Sequence, residues 1–106
     1  MALEIEDNSI KTEGLCSVVF DEDLTIYAIE ALKQEMSKAL ETYKRFELNL
    51  ASVEEIDSAG IQLLLGLQRE IKCQDKELKL TVMSAPVTKL MKMYGLIESF
   101  EIGEKM

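Results

Sequence analysis

Hydrophobic and polar positions along the chain switch between two periods, which predicts strands and helices in alternation. The run 16–20, CSVVF, is apolar and β-branched, and 24–26 resumes as a short apolar strand after three acidic residues. This pattern predicts a β-hairpin whose turn is at 21–23. Across 27–44 apolar residues recur at three- and four-residue steps, which predicts an amphipathic helix about five turns long.

The second half of the chain continues the alternation. Apolar residues at every second position over 46–50 and again over 78–82 predict two further strands, each with one buried face. Asp57 opens a second helix with a wide apolar stripe, and Pro86 and Gly95 are placed at the two ends of a short third helix. Strands and helices joined by short connections predict an α/β fold in two layers with a partly parallel sheet.

Length and charge narrow the class of protein. The 106 residues with 47% hydrophobic content predict a single domain over 1–106. The net charge of -8, with lysines and arginines interleaved among acids, disfavours nucleic acids and anionic membranes. An acidic N-terminus and the lack of any apolar run of membrane-spanning length predict no membrane insertion and a cytoplasmic location.

The inventory of reactive residues argues against catalysis. The chain has no histidine, which removes the commonest general base and metal ligand. Cys16 and Cys73 lie far apart in a chain that shows no export signal, so we expect two reduced thiols. They lack CxxC spacing and therefore indicate neither a zinc site nor a dithiol redox site. No glycine-rich phosphate loop is present. We therefore expect neither an enzyme nor a cofactor.

One segment combines a strand end, an acidic loop and a helix start. In it, Asp57-Ser58-Ala59-Gly60 follows Glu54 and Glu55. One interpretation is helix capping alone, because Asp and Ser are preferred cap residues. The other is that Ser58 is an exposed hydroxyl that a kinase can reach, where phosphate would sit at the positive end of the helix dipole and beside carboxylates.

Four blocks of sequence together resemble the STAS domain, the fold of bacterial anti-sigma factor antagonists. These are the strand pair ending at 24–26, LNL at 48–50, DSAGIQLLL at 57–65, and the closing pattern from Pro86 to Phe100. The resemblance implies a STAS-like fold in which a mixed four- to five-stranded β-sheet is packed on one side by about three to four α-helices.

The resemblance also implies a phosphorylation switch. The unphosphorylated protein would bind an anti-sigma factor that is itself a serine protein kinase, Ser58 would accept the phosphate, and a PP2C-type phosphatase would reset it. Asp57 would orient Ser58, and Gly60 would let the helix start approach closely. Ala51-Ser52 replaces a more usual Ser-Gly pair, and Asn49 occupies a position where Asp is common. The implied partner-binding residues are Asn49, Ser52, Glu54, Glu55, Asp57, Ser58, Ala59 and Gly60.

A second class remains open, because STAS domains also serve as accessory subunits of lipid-transport ATPases, where the partner is bound constitutively. Those subunits tend to carry Thr at the acceptor position, so Ser58 favours the switch. The oligomeric state stays open. The tyrosines (Tyr27, Tyr43 and Tyr94) are predicted to be half-buried packing residues. The methionines Met83, Met91 and Met93 are predicted to pack in or at the edge of the core, and an adaptable partner surface is the alternative.

Overall fold

The computed structural model describes residues 3–5 and 14–100. Their elements are β1 (Leu3–Ile5), β2 (Leu15–Phe20), α1 (Ile29–Thr42), β3 (Arg45–Leu50), α2 (Ser58–Cys73), β4 (Glu77–Met83), α3 (Ala85–Met93) and a 3-10 helix (Ile97–Ser99). The chain thus has the predicted α/β fold. Within the described residues the sheet has four strands and the helical layer three α-helices, and these counts replace the predicted ranges.

The sheet has the order β1-β2-β3-β4, so each strand lies beside the next one in sequence. β1 is antiparallel to β2, whereas β2, β3 and β4 are parallel to one another. Two parallel crossovers that step in the same direction, each right-handed, place their helices on the same face of the sheet. α1 and α2 are those crossover helices, and they contact each other.

The core lies between that helical layer and one face of the sheet. Alternate residues of β2 and β3 are buried there, and Leu80 continues the row on β4. From the helices, α1 contributes Leu32 and Met36, and the other buried helical side chains include Leu64, Ile71, Val87 and Met91. Each fully buried side chain of this size contributes roughly 1.5–3 kcal/mol of transfer free energy.

The predicted hairpin at 16–26 is wrong. β2 already has a neighbour on each side, namely β1 and β3, so no place is left beside it for residues 24–26. Leu24 instead forms an isolated parallel bridge with Ile56. The sequence prediction also missed β1, because three residues in a polar N-terminal stretch carry too little periodicity to be recognised.

A register shift explains why Val82 is not on the core face as predicted. Leu48 pairs with Leu80, but the next residue, Asn49, pairs with Val82, so Thr81 is the extra residue of a β-bulge. One inserted residue moves every later side chain to the other face of the sheet. Val82 is consequently exposed, and Met83 packs against the core in its place.

The predicted ends of the third helix are confirmed, whereas α1 (Ile29–Thr42) is shorter than the five-turn helix predicted over 27–44. Pro86 lies in the first turn of α3, and Gly95, just after Tyr94 at the end of that helix, has a φ of +67°. That left-handed conformation is one that glycine adopts without steric cost. Cys16 is buried in β2 and Cys73 is exposed at the end of α2, and the two do not form a disulfide bond.

Candidate functional site

Three segments meet at the N-terminal end of α2: residues 23–27, the loop 51–57, and the first turn of the helix itself. The loop starts where β3 ends, and the helix returns from it across the sheet. The carboxyl ends of parallel strands are the usual place for functional loops in such sheets. The sequence-predicted site residues all lie here or on the strand that leads here.

Asp57 is the residue that joins these segments. Its Oδ1 accepts a hydrogen bond from the backbone N–H of Gly60 at 3.1 Å, which makes it the N-cap of α2. Its Oδ2 accepts one from the backbone N–H of Ile26, also at 3.1 Å. One carboxylate therefore caps the helix and holds the segment before α1.

Asp23 and Leu24 make four further hydrogen bonds between the segment before α1 and the loop 51–57. Asp23 Oδ1 accepts from the backbone N–H groups of Glu54 and Glu55 at 2.9 and 3.0 Å. The N–H of Leu24 donates to the Glu55 carbonyl, and the Leu24 carbonyl accepts from the N–H of Asp57. The acidic loop is thus held by its backbone, and the side chains of Glu54 and Glu55 remain exposed.

Gly60 is packed against the backbone of Leu24. A Cβ built on Gly60 would lie 2.2 Å from the Leu24 carbonyl oxygen, 2.8 Å from Leu24 Cβ and 2.9 Å from Ile56 Cγ1. Such distances are well inside van der Waals contact, so only glycine fits at this position. The close approach of the helix start to residues 24 and 56 depends on it.

Ser58 is the first residue of α2 and is exposed. Because Asp57 is the cap, the Ser58 hydroxyl is not needed to satisfy the helix start. Among the described residues this hydroxyl makes no hydrogen bond, and its side chain is open to solvent. Capping alone therefore explains Asp57 and leaves Ser58 without a structural role.

The other predicted site residues are Asn49, Ser52 and Ala59, which lie on the strand, the loop and the helix next to Ser58. Asn49 is half-buried on β3, and its Oδ1 accepts from the N–H of Ala51 at 2.9 Å, so it shapes the turn into the loop. Ser52 is exposed in that turn. Ala59 is half-buried and packs against the core.

The site is acidic, and the exposed hydroxyl at the start of α2 is that of Ser58. Among the described residues, no group of three or more His, Cys, Asp or Glu side chains is placed to hold a metal ion. In the same part of the chain, no helix combines the length and the apolar character needed to cross a membrane. The chemistry that the arrangement supports is acceptance of a group on Ser58 and contact with another protein.

Sequence reasoning missed three residues of this site. The sequence pattern predicts Asp23 in a hairpin turn, although a short acidic side chain next to a strand end is a common partner for loop N–H groups. Ile26 and Tyr27 were read as strand and half-buried packing residues, but their side chains are 65% and 96% exposed. Apolar residues are usually buried, so no signal in a single sequence marks these two as surface.

The predictions for the other tyrosines and for the methionines are confirmed only in part. Tyr43 is half-buried and contacts Phe46 edge-on, with ring centroids 6.5 Å apart, as predicted. Tyr94 is 52% exposed, so about half of its surface is covered. Met91 is fully buried, whereas Met93 is 71% exposed, so the prediction of core or edge packing is wrong for Met93.

Comparison with known proteins places these features in context. A family model described as "Mlab, STAS domain" matches residues 12–102. The structure of the anti-sigma factor antagonist SpoIIAA in its unphosphorylated form superposes with a TM-score of 0.76 at 22% identity, covering 98% of this chain and 90% of that one. SpoIIAA of Bacillus in its phosphorylated form gives 0.71 at 21% identity, covering 98% and 93%. A putative anti-sigma factor antagonist from Thermotoga maritima gives 0.81 at 18% identity, covering 98% and 86%.

Proposed function

This chain belongs to the STAS domain family, and on that premise we propose that it is a phospho-regulated binding protein of the anti-sigma factor antagonist type. Unphosphorylated, it binds an anti-sigma factor that is also a serine protein kinase. Phosphorylation of Ser58 releases that partner, and a PP2C-type phosphatase restores binding. The protein acts without catalysing a reaction and works in the cytoplasm as one domain.

The observation that carries this proposal is the state of the Ser58 hydroxyl. It is exposed at the first position of α2, and Asp57 has taken over the capping that would otherwise account for it. A hydroxyl that is accessible and structurally dispensable can be modified without unfolding the protein. The solved structure of SpoIIAA in its phosphorylated form is consistent with a modified protein that keeps this fold.

The phosphoryl transfer balances with ATP as the donor. Ser58 Oγ attacks the γ-phosphorus, the bond from that phosphorus to the β–γ bridging oxygen breaks, ADP leaves, and a base of the kinase takes the hydroxyl proton. The product carries about -1.5 to -2 charges at pH 7. Near the N-terminus of α2 the helix dipole offsets part of this charge, which keeps the free protein folded.

The partner is released because binding would have to remove the charged phosphate on Ser58 from water. A contact that covers Ser58 buries a small neutral hydroxyl in the unmodified protein but a dianion in the modified one. Dehydrating an ion costs several kcal/mol unless a cation faces it directly. The carboxylate of Asp57, the residue directly before Ser58, adds repulsion. Phosphorylation thus weakens binding without refolding.

The test is binding in extracts of the host with wild-type, Ser58→Ala and Ser58→Asp proteins, read by quantitative mass spectrometry of the retained proteins and of the Ser58 peptide. We expect one kinase-like protein to be retained by wild type and Ser58→Ala and at least tenfold less by Ser58→Asp, with phosphate on part of the wild-type Ser58. Ser58→Thr serves as the control, because it keeps an acceptor hydroxyl.

Equal retention of the same partner by all three proteins, with no phosphate on Ser58, contradicts the switch. In that case the partner is bound constitutively, and the role of accessory subunit in a lipid-transport ATPase or another complex takes its place. The identity of the retained protein then separates these alternatives, since a transporter subunit and a kinase are easily told apart.

A further inference from the structure

Exposed apolar side chains gather next to Ser58. Five large hydrophobic residues of the described chain are exposed, and four of them belong to two short segments, 26–27 and 93–94. Tyr27 lies two residues before α1, and its side chain is 96% exposed. Met93 is the last residue of α3, and its side chain is 71% exposed. Exposed side chains of this size contribute little to folding, whereas tyrosine and methionine are enriched in protein interfaces.

Tyr27 and Met93 line the same groove. It has a volume of about 650 Å³ and runs between the 25–27 and 54–57 segments on one side and α3 on the other. Ile56 and Leu90 add apolar surface to it. Asp57 is also part of the lining, so the Tyr27–Met93 groove is continuous with the start of α2, where Ser58 is found.

The charged residues that line the groove indicate what kind of segment can bind in it. Three carboxylates, Glu54, Glu55 and Asp57, line it against one cation, Lys89. Asp57 is engaged by two backbone N–H groups, so Glu54 and Glu55 are the carboxylates available to a partner. Their side chains are exposed and have no ion-pair or hydrogen-bond partner among the described residues. An apolar groove with an unpaired acidic rim is complementary to an apolar anchor flanked by basic residues.

We propose that the Tyr27–Met93 groove is the docking site of the ATP-dependent kinase that acts on Ser58. A segment of that kinase inserts an aliphatic or aromatic side chain between Tyr27 and Met93 and pairs lysine or arginine with Glu54 and Glu55. The inference rests on the proposed function, because it names the surface by which that partner is recognised. Because the proposed pairing engages the kinase's cations with Glu54 and Glu55, it leaves a phosphate on Ser58 without a compensating charge.

The experiment measures the initial rate of Ser58 phosphorylation by ATP in host extract, at substrate concentrations far below saturation, by mass spectrometry of the intact protein. Tyr27→Ala and Met93→Ala are each expected to lower the rate at least tenfold, because truncating an interface anchor typically has an effect of this size. Tyr94→Ala is the matched control, since Tyr94 is exposed but does not line the groove.

A second comparison tests the charge argument. Glu54→Lys with Glu55→Lys in one protein is expected to lower the rate and to weaken its dependence on salt concentration. Glu41→Lys with Glu98→Lys, two exposed acids outside the groove, makes the same change in net charge and is expected to leave the rate within twofold of wild type. All variants change exposed side chains, and thermal melting checks that they stay folded.

The outcomes separate the two proposals. If wild type is phosphorylated on Ser58 and Tyr27→Ala and Met93→Ala react as fast as Tyr94→Ala, the docking site is refuted while the switch stands. If wild-type Ser58 takes no phosphate in extract with ATP, the switch itself fails, and the docking site fails with it.

Discussion

The carboxylate of Asp57 accepts a hydrogen bond from the backbone N–H of Ile26, 31 residues earlier in the chain. The same carboxylate caps α2 through Gly60. The segment that presents Tyr27 and the helix that presents Ser58 are therefore joined through this one side chain, in addition to the backbone bonds of Leu24. Changes at Asp57 should affect the stability of the helix and the position of the groove together.

Replacing Asp57 by alanine removes both hydrogen bonds. Loss of an N-cap costs about 1 kcal/mol, and loss of a further backbone bond a similar amount, so we expect the free energy of unfolding to fall by about 2 kcal/mol. Asp57→Asn is the matched control, because it keeps one acceptor oxygen and should lose about half as much. Urea denaturation checks both values. Equal stability of Asp57→Ala and wild type would contradict the assigned role.

Replacing Asp23 by alanine should loosen the acidic loop selectively. Asp23 Oδ1 is the acceptor for the N–H groups of Glu54 and Glu55, and both lose their partner in this variant. We expect a destabilisation of about 1 kcal/mol and faster amide hydrogen exchange at residues 54 and 55. Asp23→Asn keeps the acceptor oxygen and should exchange at nearly the wild-type rate. Unchanged exchange in Asp23→Ala would show that these bonds do not order the loop.

Ser84 caps a helix whereas Ser58 does not, so replacing each by alanine shows how much a capping serine contributes to stability. Ser84 is the N-cap of α3 and accepts from the N–H of Val87, whereas Ser58 follows the cap of α2. We expect Ser84→Ala to lower the free energy of unfolding by about 1 kcal/mol and Ser58→Ala to change it by less than about 0.5 kcal/mol. Thermal and urea unfolding of the two variants decide this. A larger loss at Ser58 than at Ser84 would restore the capping interpretation.

The helices and inner strands could be predicted because their apolar residues repeat with the period of each element. The Asp57-Ser58 start of α2 and the Pro86 start of α3 follow from local chemistry alone, since a cap or a proline acts on its own turn. The partly parallel character of the sheet follows from strands and helices that alternate with short connections. These features need no knowledge of distant contacts.

What could not be predicted depends on partners far along the chain. Leu24 has strand-like neighbours but bonds to residues 55 and 57, more than thirty positions away, so local pattern assigned it to the wrong element. Thr81 is the extra residue of a bulge that only pairing with β3 reveals, and Val82 changes face because of it. The exposure of Tyr27 is likewise a tertiary property, since residue type alone favours burial.

Gly60 and Gly66 provide the most discriminating test of the site's geometry, because both lie in α2 but only Gly60 is packed against another segment. A Cβ at Gly60 would meet the Leu24 carbonyl at 2.2 Å, whereas a Cβ at Gly66 would meet nothing within 4 Å. Gly66→Ala should stabilise the protein by about 0.5–1 kcal/mol, because alanine is the better helix former.

Gly60→Ala gains the same helix propensity but forces Leu24 and Ile56 away from the helix. We expect a net loss of about 2 kcal/mol, in the range of overpacked interiors. Because Leu24 carries the chain into Ile26 and Tyr27, Gly60→Ala should also slow Ser58 phosphorylation, while Gly66→Ala should not. The measurements are urea unfolding and the phosphorylation rate on the same two proteins. If both alanines stabilise equally, α2 does not lie as close to Leu24 as the structure has it, and the link between the groove and the helix start is lost.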